Sequence, residues 1–246
     1  MTVYFTVDVE HDCPPYLTTW RGIETGMPQL ISMLDEERVR ATFFTTGDVA
    51  RRYPALMRTL VDAGHEIGSH GDTHRSFAEL SEAEADREIL ESSRTLRAFG
   101  PVTSFRAPFL RFPARLVPLL ERHGYGVDSS QGRHKHLRAA VHFDHEVLRV
   151  PASVTSSTLR WPAPLRDALL ARLNDPVVLF VHPWEFVDFR SSALRWDCRF
   201  KTGAAALDSA RSALRFFRTR GATFRLMRES RQTTGRQRKN QTASTA

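Results

Sequence analysis

Two histidines lie four residues apart in residues 69–74, which read Ser-His-Gly-Asp-Thr-His. On one helical turn this spacing points both imidazole rings to the same side, where they can bind one divalent metal ion. Surface helices also carry such pairs by chance, so the pair alone is a weak indication. Its position strengthens it, because the pair follows a short apolar strand and precedes a segment with a capping box. We therefore predict that His70 and His74 are metal ligands.

Two carboxylates, Asp8 and Glu10, lie at the end of the first predicted strand. Because side chains alternate along a strand, residues two apart lie on the same face. Neighbouring carboxylates repel each other, and a nearby cation relieves that repulsion. A metal held by the histidines would leave one carboxylate to coordinate it and the other to accept a proton from the attacking water. Asp12 is an alternative ligand, and a helix-capping aspartate with a solvent-facing glutamate is the structural alternative.

Two further polar residues follow predicted strands. Arg106 ends the strand at 102–106, where a guanidinium can hold a catalytic carboxylate ionised through a bidentate pair. His182 follows the apolar run 177–181, so a protonated ring at that point can act as a general acid. A hydrogen-bonded core histidine is the alternative interpretation of His182.

Short apolar runs alternate with amphipathic helical segments along the chain, a pattern typical of βα units. No glycine-rich phosphate loop follows the first strand, which favours a barrel over an open doubly wound sheet. Barrel enzymes place their chemistry at the carboxyl ends of the strands, where the polar residues above lie. The predicted strands are 3–9, 39–45, 66–69, 102–106, 126–129, 147–151, 177–182 and 222–226, and the predicted helices include 22–37, 48–63, 81–100, 165–173 and 204–220.

The composition, with 41% hydrophobic and 26% charged residues, is that of an ordinary globular protein. No apolar run is long enough to cross a bilayer, and the first residues read directly into a strand, so a cytoplasmic location is expected. The two cysteines, Cys13 and Cys198, imply no disulfide framework and are expected to be plain thiols, although either could bind a metal adventitiously.

Residues 229–246 form a polar stretch with four basic residues and one acidic residue. Such a stretch buries too little apolar surface to order itself. We therefore predict one catalytic domain over residues 1–228 and a disordered basic tail over 229–246. A basic tail can contact nucleic acid or anionic lipid, but a solvated tail is favoured and no nucleic-acid partner is expected.

Taken together, residues 3–227 resemble the polysaccharide deacetylase family, which is carbohydrate esterase family 4 or the NodB-homology domain. The resemblance is carried by residues 41–47 (Ala-Thr-Phe-Phe-Thr-Thr-Gly) and by residues 63–70 (Ala-Gly-His-Glu-Ile-Gly-Ser-His), which run on to His74. It implies a single-domain α/β fold, a distorted (β/α) barrel of about seven parallel strands. It also implies roles for individual residues: Asp8 as the base, His70 and His74 as metal ligands, His182 as the acid, and Arg106 as the residue that orients the base.

The chain departs from the family pattern in two motifs. The first motif usually has adjacent aspartates, whereas here Asp8 and Glu10 are separated by a valine, so Glu10 is predicted as the third ligand. The fourth motif usually brings an aspartate and a tryptophan, whereas residues 128–131 keep only the acid, Asp128. This change alters the predicted wall of the sugar site. Substrate contacts are predicted at Asp128, Phe109 and Trp184.

The resemblance implies a metal-dependent hydrolase that removes an acetyl or formyl group from the nitrogen of an aminosugar, in a glycan or a lipid-linked saccharide. Residues 21–26 (Arg-Gly-Ile-Glu-Thr-Gly) are similar to those of intracellular members that act on lipid-linked aminosugars. The expected ion is zinc, with cobalt, nickel and manganese as alternatives. The rival functions are an allantoinase-like amidase and a non-catalytic module that binds glycan or nucleic acid.

Overall fold

The computed structural model describes residues 1–133, 139–190 and 192–232. In this part of the chain, nine strands form one sheet. They are β1 (Thr2–Val9), β2 (Thr42–Thr45), β3 (Glu66–Ser69), β4 (Ser104–Phe105), β5 (Val127–Asp128), β6 (His142–Asp144), β7 (Val147–Arg149), β8 (Val177–Val181) and β9 (Thr223–Phe224). The order is β6-β7-β5-β4-β3-β2-β1-β8, with β9 also paired to β1. Every pair is parallel except the β6–β7 hairpin.

Along the chain, the helices alternate with these strands. They are α1 (Met27–Glu36), α2 (Gly47–Arg52), α3 (Pro54–Asp62), α4 (Glu82–Arg97), α5 (Val117–Arg122), α6 (Ser156–Leu159), α7 (Ala163–Leu170), α8 (Trp196–Arg199) and α9 (Ala204–Thr219). A π-helix, Gly22–Gly26, leads into α1, and 3₁₀-helices span Pro108–Leu110, Ala114–Leu116, Pro183–Phe186 and Met227–Glu229. Among the described residues, none of these helices is long and apolar enough to cross a membrane.

The sheet curls into the distorted barrel that the sequence predicts, which confirms the fold class. The barrel is completed by two hydrogen bonds instead of a strand ladder: Ser153 donates its backbone N–H to the Val178 carbonyl (2.9 Å), and the Val178 N–H donates to the Ser153 hydroxyl (2.9 Å). One apolar layer lies between the strands and the helices, and a smaller one fills the barrel interior. The interior layer includes Tyr4, Phe44 and Phe180.

Side chains alternate between the two faces of each strand, so the inward-facing residues of a strand lie at successive levels along the barrel axis. On β1 the inward face that carries Tyr4 continues through Thr6, Asp8 and Glu10, whereas Val3, Phe5, Val7 and Val9 pack in the outer layer. The same alternation places Glu66, at the amino end of β3, and His70, directly after its carboxyl end, on the inward face. The strands therefore bring polar side chains into the barrel at both of its ends.

Two differences from the predicted elements have a clear physical reason. The helix predicted at 48–63 is two helices, because Pro54 has no N–H to continue the first one and restricts Tyr53 before it. The β6–β7 hairpin was not predicted, since its first strand is short and only partly buried. Most of the predicted tail, residues 233–246, lies outside the described residues. Of the remainder, Glu229 ends a 3₁₀-helix and Ser230 is buried.

The prediction of plain thiols is wrong, because Cys13 and Cys198 form a disulfide with their Cα atoms 6.3 Å apart. The bond joins the loop after β1 to α8, across a separation of 185 residues. Only the fold brings the two positions together, so two isolated cysteines carried no signal of it. The cytoplasmic location expected from the sequence stays a prediction.

Candidate metal centre and active site

Glu10, His70 and His74 meet at the mouth of the barrel. The Glu10 Oε2 atom lies 2.5 Å from Nε2 of His74 and 3.3 Å from Nε2 of His70. All three side chains are buried, and their ligand atoms lie within 4.8 Å of one another. Two imidazole nitrogens and one carboxylate oxygen fit a catalytic zinc-type site, in which three protein ligands leave a coordination position open.

The two histidines reach this point by different routes. His70 directly follows β3, and its Nδ1 atom hydrogen-bonds the Arg106 carbonyl oxygen at 2.7 Å, which leaves Nε2 directed at Glu10. His74 is not on the helical turn that its spacing predicts. The chain turns back instead through left-handed residues, with φ of 76° at Gly71 and 62° at His74.

Glu88 of α4 holds this turn, and sequence reasoning missed it. Its carboxylate accepts hydrogen bonds from the backbone N–H groups of Asp72 and Thr73, both at 2.9 Å, and from the Thr73 hydroxyl at 2.5 Å. These bonds satisfy the backbone between the two histidines. A buried glutamate on a capped helix has no sequence signature that distinguishes it from a surface residue.

The charge of Glu10 is suited to a cation. Burial raises the pKa of its carboxyl group, but the neighbouring imidazoles of His74, His182 and His70 outweigh burial and hold that pKa well below its ordinary value. Glu10 is therefore ionised at neutral pH. Trp184 adds a weak hydrogen bond from its indole N–H to Glu10 Oε1 at 3.4 Å.

Asp8 lies beside the ligand group and is held by Arg106. One guanidinium nitrogen of Arg106 donates to Asp8 Oδ1 at 2.7 Å and to the Thr6 hydroxyl at 2.7 Å. The other nitrogens bond the carbonyl and hydroxyl oxygens of Ser129, so the expected bidentate pair is a single contact. The guanidinium also lies 4.3 Å above the ring of Phe44. Arg106 thus fixes one oxygen of Asp8 and leaves the other facing the cleft.

His182 faces Asp8 across the site and is fixed from behind. Its Nε2 atom lies 4.0 Å from Asp8 Oδ2, and its ring stacks on Trp184 with centroids 5.0 Å apart. Its Nδ1 atom pairs with Glu185 Oε1 at 2.7 Å, and Glu185 Oε2 forms an ion pair with Nε of Arg160 at 3.0 Å. This arrangement leaves Nε2 as the ring nitrogen that faces Asp8 and Glu10.

Glu185 and Arg160 were not among the predicted site residues. Burial lowers the pKa of His182, but Glu10 and Glu185 together raise it to about 9, so the ring is protonated at neutral pH. Arg160 is itself anchored by the carbonyl oxygens of Asp197 and Phe200, at 2.8 and 2.6 Å. The sequence does offer one signal for Glu185, because it lies three residues after a histidine in a short turn.

The candidate ligands, Asp8 and His182 line one cavity of about 250 Å³, which we call the catalytic cleft. Phe109 is 39% exposed at its rim and places its ring against His74, with centroids 4.9 Å apart. Trp184 lies deeper and is 6% exposed. Both side chains line the cleft, and their contact with a substrate stays a prediction. The lining includes Asp8, Glu10, His70, His74, Phe109, Leu110, His182 and Trp184.

Two predicted residues are placed elsewhere. Asp128 is fully buried behind the cleft, where its carboxylate pairs with Nε of Arg149 at 2.6 Å. It therefore does not form the substrate wall predicted for it. Asp12, the alternative ligand, accepts bonds from the Thr19 hydroxyl (2.6 Å) and from the backbone N–H groups of Arg21 and Gly22 (2.9 and 2.7 Å). Its role is to hold the loop after β1.

Comparison with known proteins identifies the family. The family model described as polysaccharide deacetylase matches residues 2–127, which carry β1, β2, β3 and the three candidate ligands. The chain belongs to the polysaccharide deacetylase family. Within this family it is similar to a chitooligosaccharide deacetylase of Sinorhizobium fredii, at 36% identity over 85 residues, which are 33% of this chain and 40% of that protein. It is also similar to a peptidoglycan deacetylase of Helicobacter pylori, at 28% identity over 109 residues, 44% of this chain and 37% of that protein. The chain thus spans about two fifths of the length of the curated relatives it matches.

Solved structures share the fold of this polysaccharide deacetylase family member. A family 4 carbohydrate esterase from Streptomyces lividans superposes with a TM-score of 0.62 at 19% identity, covering 91% of both chains. Peptidoglycan deacetylase PdaC from Bacillus subtilis gives a TM-score of 0.65 at 13% identity, covering 99% of this chain and 96% of the other. A pseudoenzyme of carbohydrate esterase family 4 from Bacillus anthracis gives a TM-score of 0.64 at 16% identity, covering 93% of this chain and 64% of the other. The fold therefore does not by itself establish activity, which depends on the residues of the site.

Proposed function

We propose that this protein is a metal-dependent hydrolase that removes an acyl group, acetyl or formyl, from the nitrogen of an aminosugar in a glycan. One observation carries the proposal. A carboxylate and two imidazoles of the metal-ligand type share one buried point, and Asp8 and His182 face each other beside it, with 4.0 Å between their nearest atoms. Family membership and the names of the similar proteins support the same reaction class.

Glu10, His70 and His74 would hold the ion, for which zinc is the first candidate and cobalt, nickel and manganese are alternatives. When bound, a divalent ion there supplies a Lewis acid that polarises the amide carbonyl and increases the acidity of water. Asp8 removes the proton from the attacking water through its free oxygen, Oδ2. Arg106 holds the other oxygen, Oδ1, and so orients the carboxylate.

His182 completes the reaction at the leaving group. Its Nε2–H donates a proton to the departing amine, because an amide nitrogen leaves only when it is protonated. Glu185 holds the ring through Nδ1, so the acidic proton is presented on the side that faces the cleft. The products are a free aminosugar and acetate or formate.

Residues 21–26, which are similar to those of family members that act on lipid-linked aminosugars, are explained by packing. A Cβ atom at Gly22 would lie 2.5 Å from the backbone nitrogen of Trp184, and one at Gly26 would lie 2.1 Å from the Pro183 carbonyl oxygen. Both glycines therefore allow the π-helix to pack on the turn that carries His182. We propose a glycan as the substrate and test a lipid-linked aminosugar as the alternative.

The test is hydrolysis of a substrate panel by the purified full chain loaded with zinc. The panel contains N-acetylated glucosamine oligomers, a peptidoglycan fragment, a lipid-linked N-formyl aminosugar and allantoin, and released acetate, formate or ring-opened product is measured. We expect acetate from the glycans, with loss of activity in Asp8→Asn and after chelation. Hydrolysis of allantoin alone would support the amidase alternative. Glycan binding without hydrolysis of any substrate would support the non-catalytic module.

A further inference from the structure

The Cys13–Cys198 disulfide lies at the catalytic cleft, and the proposed mechanism does not use it. Both cysteines line the cleft, and both are buried. They belong to a small apolar cluster with Trp184, Val187 and Phe189, which is separate from the main core. The cross-link therefore joins two segments at the mouth of the barrel, the loop after β1 and α8.

The two joined segments differ in how firmly they are held. The loop after β1 is fixed by hydrogen bonds to the Asp12 carboxylate, which come from the Thr19 hydroxyl and from two backbone N–H groups. In contrast, α8 has only four residues, and helices this short are not stable by themselves in water. The loop is therefore the fixed side of the cross-link, and α8 is the side whose position depends on it.

A buried arginine connects α8 to the candidate acid. The guanidinium of Arg160 donates to the carbonyl oxygens of Asp197, in α8, and Phe200, directly after it, at 2.8 and 2.6 Å. The same guanidinium pairs with Oε2 of Glu185 at 3.0 Å. The other oxygen of Glu185 pairs with Nδ1 of His182 at 2.7 Å. A continuous path of contacts thus runs from the helix that carries one cysteine to the imidazole.

These contacts make Arg160 follow α8. Its side chain is 2% exposed, so N–H groups that lost the two carbonyl oxygens would have little water to bond. Because an unsatisfied buried donor on a charged group costs free energy, the guanidinium stays with its acceptors when α8 shifts. Such a shift then reaches Glu185 through the ion pair.

We propose that the Cys13–Cys198 disulfide is a positioning element that acts, through α8, on the general acid His182. While the cross-link is intact, α8 holds Arg160 where Glu185 fixes the imidazole. Reduction to two thiols frees α8, weakens the hold of Glu185 on the ring and slows protonation of the departing amine. The inference depends on the proposed function for the reaction that His182 assists.

The test compares oxidised and reduced zinc-loaded enzyme on an N-acetylated glucosamine oligomer and on an activated ester. A water-soluble phosphine reduces the disulfide: it supplies two electrons and becomes its oxide with the oxygen of one water molecule, whose two protons go to the two thiols. An activated ester needs no proton donor for its leaving group. Reduction should therefore lower the amide-to-ester rate ratio about three- to tenfold, the worth of one hydrogen bond.

A variant without the disulfide controls for the reductant. The double variant Cys13→Ala, Cys198→Ala should show the ratio of reduced wild type, with or without phosphine. A partly unfolded preparation loses both activities together, so the ratio reports on the acid step. A wild-type ratio in both the reduced enzyme and the double variant would overturn the proposal.

Arg160→Gln tests the route from α8 to the imidazole. With the disulfide intact, it should lower the ratio at least as much as reduction does, because Glu185 loses its ion pair. Reduction of the Arg160→Gln enzyme should then cause no further fall, since residues that act in one path are not additive. Arg172→Ala, an exposed arginine that does not line the cleft, should respond to reduction as wild type does. A full further fall in reduced Arg160→Gln would contradict the proposed path.

A spectroscopic measurement separates this inference from the proposed function. The Nδ1 proton of His182 lies in the hydrogen bond to Glu185, so its NMR signal should exchange slowly with water; loss of the signal in His182→Ala assigns it. Reduction should speed this exchange at least about threefold. If no substrate is hydrolysed but reduction speeds the exchange, the positioning role stands and the proposed reaction falls. If the N-acetyl substrate is hydrolysed and reduction changes neither the ratio nor the exchange, the positioning role falls alone.

Discussion

The two ends of the barrel interior each bury a glutamate, and the two are held in different ways. At the amino ends of the strands, Glu66 accepts bonds from the hydroxyls of Ser104 and Thr42, at 2.6 and 2.7 Å, and from the backbone N–H of Arg228 at 3.0 Å. At the carboxyl ends, Glu10 faces two imidazole nitrogens. Both carboxylates are buried inside the same sheet.

The partners decide what each carboxylate can do. Burial raises the pKa of Glu66, and the neutral donors around it offset this only in part. The pKa of Glu10 is lowered despite burial, because the histidines favour its charged form. Glu66 ties Arg228 and the segment after β9 to the barrel. Glu10 lines a cleft, next to a candidate base and a candidate acid. Burial of an acidic side chain therefore does not by itself indicate a functional site. What indicates one is that its partners can themselves bind a metal or carry a proton.

The largest expected effect on the cleft side is that of Asp8→Asn. The amide cannot accept the proton of the attacking water, so kcat should fall about 10⁴-fold, the upper end for acid–base catalysis. Because Asp8 is outside the ligand group, bound zinc should stay at the wild-type level in elemental analysis. The roles of the two acids would be exchanged if Asp8→Asn lost its zinc while Glu10→Ala kept zinc and lost turnover.

His182→Ala should lower kcat for the N-acetyl substrate roughly 10²- to 10⁴-fold, since the departing amine loses its proton donor. An activated ester, whose leaving group needs no proton, should be affected far less. Parallel assays of the two substrates with the same enzyme preparation measure this difference. Equal losses on both substrates would make His182 a structural residue.

Glu185→Gln tests the residue behind the acid. It removes a buried charged partner of the imidazole, which is worth about 1.5–3 kcal/mol, so kcat on the amide should fall about 10- to 100-fold. Activated-ester hydrolysis and zinc content in the same preparation serve as internal controls, because general misfolding would reduce both. A positioning role is contradicted if the amide-to-ester rate ratio stays at the wild-type value.

The fold and the main site residues could be predicted because they follow local rules. The alternation along β1 places Asp8 and Glu10 on one face, and the strand–helix pattern predicts the barrel and its catalytic end. The features that were missed depend on distant contacts. Glu88 acts on the loop before His74 from another element, and Arg160 reaches Glu185 from outside β8 and the turn that follows it. The same holds for the disulfide, which no local pattern specifies.

The smallest effect is expected at the opposite end of the barrel, with Glu66→Gln. Activity should change less than twofold, because Glu66 accepts its hydrogen bonds from Thr42, Ser104 and Arg228, none of which lines the catalytic cleft. Folding raises the pKa of Glu66, so the unfolded chain releases this proton more readily than the folded one. Wild-type stability should therefore fall, relative to the variant, as pH rises above the ordinary value of 4.5. Denaturant unfolding of both proteins between pH 4 and 8 measures it; a constant difference would contradict this.

The most direct test of the central claim, that Glu10 and not merely a buried glutamate helps to hold a metal, is a zinc titration of three chelator-treated proteins. Wild type and Glu66→Gln should each bind one ion per chain with similar Kd by calorimetry. Glu10→Gln should bind at least about 100-fold more weakly, since loss of a ligand should cost no less than loss of a group that only supports one. Equal zinc affinity in all three proteins would contradict the account.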